Sequence, residues 1–141
     1  MLEIELLPSP AFHPNLRVTQ PESRAGCSYH VSLSLPDAIF LDRDELIDLW
    51  GQSRDEHARV EWWLSPVTID IERPVRDDAP TSVLQLRLDT VTPLDIPMHA
   101  RYLRPNESGR QEVTLFGQDA IQTGWKCGLG RSYVGIRADC R

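Results

Sequence analysis

The stretch LQLRLD, residues 84–89, alternates without a break. Leu84, Leu86 and Leu88 fall on one side, and Gln85, Arg87 and Asp89 on the other. A period of two belongs to a strand with one buried face and one wet face. The stretch YHVSLSL, residues 29–35, repeats the pattern. Tyr29, Val31, Leu33 and Leu35 oppose His30, Ser32 and Ser34, and Pro36 ends the run. Working outward, Leu2–Leu6, Asn15–Gln20, Val60–Leu64, Val67–Glu72, Pro97–Leu103 and Glu112–Phe116 are further strand candidates. The last two flank the turn sequence PNESG, residues 105–109, and read as a hairpin with a longer loop. In Val67–Glu72, Val67, Ile69 and Ile71 share one face, with Asp70 and Glu72 on the other.

One segment carries a helical signal instead. In DRDELIDLW, residues 42–50, Asp42 can cap and Glu45 stands in capping-box position. Leu46, Leu49 and Trp50 fall on one face, and Gly51 follows. A helix of about two turns is stable only when docked on something else. About seven short strands and one short helix define an all-β domain, an antiparallel β-sandwich-like fold with its helix near 42–50. Residues 1–14 read as an N-terminal extension, 15–127 as the domain and 128–141 as an unstructured tail.

Composition narrows the function. A chain of 141 residues is one ordinary domain. It has no run of 18 apolar residues, so no membrane-spanning helix is expected within it. Acidic residues outnumber basic ones by 21 to 15, for a net charge of −6, which disfavours nucleic acid as a partner. The start, MLEIELLPSPAFHP, places Glu3 and Glu5 where a secretory signal has positive charge, and Pro8 and Pro10 cut the apolar run. Taken alone, this points to the cytosol.

No local pattern announces catalysis. There is no G-x-S-x-G elbow and no phosphate loop, and the G-x-G of CGLGRSYVG lacks its strand-to-helix context. Of the histidines, His30 and His99 could meet across a sheet, with Cys27, as zinc ligands; surface or core roles are the commoner fate. Asp70 and Glu72 on one strand face would suit a small carboxylate-dependent hydrolase with a histidine, and a solvated outer face is the plainer reading. Arg101, sharing a strand face with His99, could meet a carboxylate such as Glu72, or face a partner. A carbohydrate- or protein-binding module would show Trp62 or Trp63 on an exposed face, one of them at most, since neighbours in a strand point to opposite sides. The sequence calls for no cofactor.

Two features favour an oxidising compartment. The three cysteines, Cys27, Cys127 and Cys140, form no C-x-x-C pair. A bridge between Cys27 and Cys127 would close a loop of about 100 residues, with a chain-entropy benefit of about 4–5 kcal/mol. The triplet Asn106-Glu107-Ser108 is a glycosylation acceptor at the expected turn tip.

Several segments, in order, resemble the PIG-X family, whose fungal branch is called the Pbn type. PESRAGCSYHVSLSLP (21–36) resembles its cysteine-containing strand ending in Leu-Pro, and AIFLDRDEL (38–46) its Phe/Tyr-x-Asp-x-x-Glu-Leu element. DIERP (70–74) is similar to its acidic strand ending in Glu-x-Pro. PLDIPMHARYLRP (93–105) matches Pro-x-His-x-Arg-Tyr-x-x-Pro, and Cys127 stands where the family has a cysteine. The resemblance covers about residues 15–127.

It implies a lumenal domain of an endoplasmic-reticulum membrane glycoprotein. Such a protein is a non-catalytic subunit that stabilises the mannosyltransferase adding the first mannose in glycosylphosphatidylinositol (GPI) anchor synthesis. The implied partner is the PIG-M-type catalytic subunit. Phe40, Asp42, Leu46, His99, Arg101 and Tyr102 are the candidate contacts, with internal support of the sandwich as their alternative role. If Arg101 is a contact, Arg101→Ala lowers partner abundance at nearly constant melting temperature. If it is internal, the melting temperature falls. The family's C-terminal transmembrane helix is not in this sequence, and GLGRSYVGIRADCR after Cys127 reads as unrelated tail, as in a truncated or trimmed product.

Overall fold

The computed structural model describes residues 1–7, 13–52, 60–67, 69–76, 81–102, 105–110, 112–117 and 119–128, and the backbone of 133–137. The alternating stretches form the middle of an antiparallel five-stranded sheet. Its centre is β3 (Cys27–Leu35), flanked by β6 (Ser82–Leu88) and β9 (Ile121–Cys127). Beyond them lie β5 (Glu61–Ser65) and β10 (Tyr133–Arg137), giving the order β10-β9-β3-β6-β5. Register turns the separate alternations into continuous apolar rows. Tyr29 faces Leu88 and Trp125, Val31 faces Leu86, and Leu86 faces Trp62. Leu33 faces Leu84 and Ile121. Pairs of this kind are what hold neighbouring strands in one register, because a slip by one residue would turn the apolar face outward.

A second sheet covers that face. It has the order β1-β2-β7, from β1 (Glu3–Leu7), β2 (Asn15–Thr19) and β7 (Leu94–Pro97). Leu16 opposes Ile96 and Val18 opposes Leu94, and all four are buried in the same cluster as the five-stranded sheet. Two antiparallel sheets sharing one apolar layer make this an all-β sandwich. A two-stranded ribbon, β4 (Ile39–Phe40) with β8 (His99–Ala100), sits beside them.

Helix α1 (Arg43–Trp50) starts at Asp42, whose side chain accepts the Asp44 N–H at 3.0 Å. It ends at Gly51, whose φ of 85° suits a residue without Cβ and whose N–H reaches the Ile47 carbonyl. Leu46 and Trp50 are buried, and Trp50 meets Trp62 edge-on with ring centres 6.0 Å apart. The Trp62 indole N–H donates to the Gly51 carbonyl. Leu49, expected on the buried face, is 52% exposed. Glu45 does not close a capping box; it turns instead to His99.

Four expectations are corrected. Val67–Glu72 is not a strand among its described residues. Val67 and Ile71 are exposed, and Asp70 accepts the Glu72 N–H in a local turn. Alternation without a neighbouring strand to pair with does not make a strand. The hairpin between Pro97–Leu103 and Glu112–Phe116 is likewise not formed. The first segment is interrupted at Met98, and its continuation pairs with β4; residues 112–116 lie outside any strand, with Leu115 and Phe116 packed on the core. Strand β9 was not anticipated, because its inward set is only Ile121 and Trp125 with the polar Thr123 between them. The tail is not wholly irregular: Tyr133–Arg137 pair with β9, whose outer edge would otherwise present unpaired backbone groups. Cys140 lies outside the described residues. The N-terminal extension contributes β1 as an edge of the smaller sheet. Among the described residues, no helix is long and apolar enough to cross a membrane.

Candidate functional site

Three of the segments carrying the family-like motifs, 38–46, 70–74 and 93–105, meet in one cluster. Backbone pairing brings them together: Phe40 faces His99 in the β4–β8 ribbon, and the Arg101 N–H donates to the Ala38 carbonyl at 2.8 Å. This places Asp37, Phe40, His99 and Arg101 side by side. The loop at 70–76 then folds over them.

Arg101 is the centre of the arrangement. It is 4% exposed, although it is the most strongly basic kind of side chain. Its Nη1 donates to the carbonyls of Asp70, at 2.5 Å, and of Arg73, at 3.3 Å. Its guanidinium carbon lies 4.8 Å from the centre of the Phe40 ring. Its Nε has no hydrogen-bond partner and stands 3.8 Å from the Asp37 carboxylate. Asp37 is held in a fork by Arg73 and also accepts the Arg76 N–H at 2.7 Å. The hydrogen bond from Arg73 holds the Asp37 carboxyl below the usual carboxylate range, so it is a fixed anion rather than a proton carrier. Burial lowers the Arg101 guanidinium from its ordinary value, with Arg73 acting in the same direction.

A second string of contacts runs beside it. The His99 ring stacks on Phe40 with centres 5.0 Å apart and planes 17° from parallel. His99 Nε2 contacts the Glu45 carboxylate, and its Nδ1 lies 2.8 Å from Nδ1 of His13. Helix α1, strand β8 and the segment before β2 are thereby tied together. The effect of the whole cluster is to brace irregular segments that the two sheets do not hold.

The predicted site residues are therefore not one surface. Leu46 and Arg101 are buried and Phe40 nearly so, so a partner could touch them only if the domain opened. Asp42 is the helix cap. His99 is half-buried within the brace. Tyr102 is 74% exposed, while its carbonyl accepts the Val75 N–H. Asn106 is exposed in its turn, with the Ser108 hydroxyl 3.0 Å from its side-chain oxygen. Cys27 and Cys127 face each other at the ends of β3 and β9 and form a disulfide.

The structure also separates the residues of the rival readings. His30 lies on the outer face of the large sheet beside Ser28, far in the topology from the His99 brace, and Cys27 is spent in the disulfide. No group of His, Cys, Asp and Glu suited to a metal ion occurs among the described residues. Asp70 and Glu72 sit in an exposed turn, not in a cleft. Arg101 does not meet Glu72; it binds backbone carbonyls, with Asp37 as the nearby carboxylate. The sequence reading missed Asp37, Arg73 and His13. The local signals were weak: Arg73 stands in the DIERP motif, and Asp37 is an acid directly after Pro36, which many surface acids share.

Fold and cluster together define an all-β sandwich domain closed by a buried, salt-bridged brace. The family model described as PIG-X / PBN1 matches residues 9–127, and the chain belongs to that family. It is 28% identical over 122 residues to Protein pbn1 of Aspergillus oryzae, covering 73% of this chain and 22% of that one. Against Protein PBN1 of Gibberella zeae it is 26% identical over 115 residues, covering 73% of this chain and 23% of that one. Against Protein pbn1 of Neurospora crassa it is 26% identical over 125 residues, covering 79% and 24%. The chain thus spans less than a quarter of the length of these relatives. No solved structure matches it.

Proposed function

We propose that this domain belongs to a non-catalytic stabilising subunit of the endoplasmic-reticulum mannosyltransferase that adds the first mannose in GPI-anchor biosynthesis. It lies in the lumen and acts by binding the PIG-M-type catalytic subunit. The observation that carries the reading is the family match across residues 9–127. The disulfide supports an oxidising compartment, and the exposed Asn106 turn is open to glycosylation there. The motif residues are consistent with a supporting role, since Arg101 and Asp37 bind backbone groups of the segments around them.

The action is linkage: a partner that binds only the folded catalytic subunit raises its folded population by mass action. Tyr102, at the border of the brace, is the exposed contact. Phe40, Leu46, His99 and Arg101 act indirectly, by holding the segments that present it.

The test is complementation. The full chain is given a signal sequence and a C-terminal membrane anchor, and is expressed with a fungal catalytic subunit in cells lacking their own stabilising subunit. Recovery of the catalytic subunit on blots and of GPI-anchored proteins at the surface is the expected result. A folded, lumenal chain that restores neither with any fungal catalytic subunit tried refutes the proposal. An endoglycosidase-sensitive mobility shift, lost in Asn106→Gln, reports the glycan.

A further inference from the structure

The outer face of the five-stranded sheet carries charges at Glu61, Arg87, Asp89 and Lys126 and, beside them, a neutral polar patch. It holds a cleft of about 320 Å³, at the small end of the usual range for ligand pockets. One row of residues crosses it from strand to strand: Trp63 opposes Gln85, Gln85 opposes Ser32, and Ser32 opposes Gln122. The next row places Gly124 opposite His30 on β9, so on that side the floor has no side chain beside the imidazole, while Arg87 stands opposite it on β6.

The chemistry of the lining is specific. Trp63 offers an aromatic surface at one end and is half-buried, so its position is set by the fold. Gln85 and Gln122 offer uncharged carboxamides, each both donor and acceptor, and Ser32 a hydroxyl. Burial pushes His30 below its ordinary range, with Arg87 and Lys126 acting the same way, which leaves a neutral ring with one donor and one acceptor at pH 7. The bordering Arg87 is compensated by Glu61 at 3.2 Å and Asp89 at 3.6 Å. The lining itself therefore presents an aromatic plate and neutral polar groups, with the charges of Arg87 and Lys126 at its border.

That combination fits one ligand class better than others. A peptide seeks main-chain hydrogen bonds, but three of the four strands under the cleft, β9, β3 and β6, are paired on both sides, and only β5 lies at the sheet edge. A phosphate or carboxylate would find no cation among the lining residues: Arg87, at the border, is paired, and Lys126 lies one outward position beyond Gly124 on β9. A sugar ring has an apolar face of C–H groups for the tryptophan and a rim of hydroxyls for the amides. We infer that this face, with Trp63 as platform and Gln85, Ser32, Gln122 and His30 as hydrogen-bonding rim, is a binding site for a short neutral saccharide. The site lies on the opposite side of the large sheet from the core and does not include the brace, so it stands or falls independently of the stabilising role.

The experiment is an NMR titration of the disulfide-intact protein. The probes are methyl α-D-mannopyranoside, methyl β-D-glucopyranoside and N-acetyl-D-glucosamine, each taken through the millimolar range expected for a single-ring ligand. At least one probe should shift the Trp63 indole and the Gln85 and Gln122 side-chain amides along one saturable curve. Trp63→Ala should weaken that binding at least tenfold. The double variant Gln85→Ala with Gln122→Ala, at exposed positions that leave the core untouched, should do the same with an otherwise unchanged spectrum. Three outcomes overturn the inference: no saturable shift with any probe, shifts located elsewhere, or binding that survives the double variant.

Discussion

Replacing Arg101 by alanine tests the brace directly. The substitution removes two donated hydrogen bonds, to the carbonyls of Asp70 and Arg73, and the guanidinium contact with Phe40. Hydrogen bonds involving a charged group contribute about 1.5–3 kcal/mol each in buried settings. The second bond is long, and both carbonyls belong to a loop that water can reach, so the pair contributes about 2 kcal/mol. The cation–π contact adds about 1 kcal/mol, and the cavity left by the aliphatic stem a similar amount. Against this stands the recovered cost of burying a cation whose Nε is unpartnered, about 1 kcal/mol. The balance is a loss of about 3 kcal/mol, or roughly 10 °C in Tm for a domain of this size. Urea titration followed by tryptophan fluorescence and a thermal melt by circular dichroism measure it. Arg101→Met keeps the volume and drops the charge, and should lose less than half as much. A change in Tm below about 2 °C for Arg101→Ala would refute the reasoning.

Three further outcomes follow from the same geometry. Asp37→Ala leaves Arg73 and Arg101 without their shared anion and should cost about 3–4 kcal/mol by urea titration, whereas Asp37→Asn keeps an acceptor and should cost clearly less. Reduction of Cys27–Cys127, or its replacement by two alanines, should lower stability by about 3–5 kcal/mol through the long loop it closes, visible as a fall in the urea midpoint with and without reductant. Stability should also depend on pH in two windows. Asp37 sits lower in the folded state than in the unfolded chain, where such groups titrate near about 3.9, so its contribution is complete above about pH 4 and is lost as pH falls through the lower folded value. Asp37→Asn should flatten that acid limb. His30 is also lowered, chiefly by burial, with Arg87 and Lys126 pressing the same way and Glu61 and Asp89 opposing. Its contribution is complete above about pH 6.5 and declines below it, and His30→Gln should remove that decline in melts taken across pH 5–7.

The sequence by itself determined the parts whose signal is local. The two-residue alternation of Leu84–Leu88 and Tyr29–Leu35 can be satisfied only by a strand with one buried face, and both became strands of the large sheet. Asp42 before an amphipathic run, and Gly51 after it, bounded the helix because capping involves only neighbouring residues. The ordered motifs were enough to recognise the family. Pairing was not legible, because a strand's partner is set by what lies beside it in space. Val67–Glu72 alternates well yet its described residues belong to no strand, while Ile121–Cys127 alternates poorly and is a strand because β3 supplies one edge for it and β10 the other.

The candidate site divides in the same way. His99, Arg101 and Phe40 were picked out, but whether they face a partner or the interior depends on the fold of residues 70–76 over them. Asp37, Arg73 and His13 are ordinary surface types in the sequence, and gain a role only when β4 and β8 bring them within reach. The cleft of the outer sheet face depends on register: Trp63, Gln85, Ser32 and Gln122 come from four strands and become one row only in the folded sheet. Backbone periodicity is a property of a few consecutive residues, whereas a site is a property of distances between strands, and those distances exist only once the sandwich has closed.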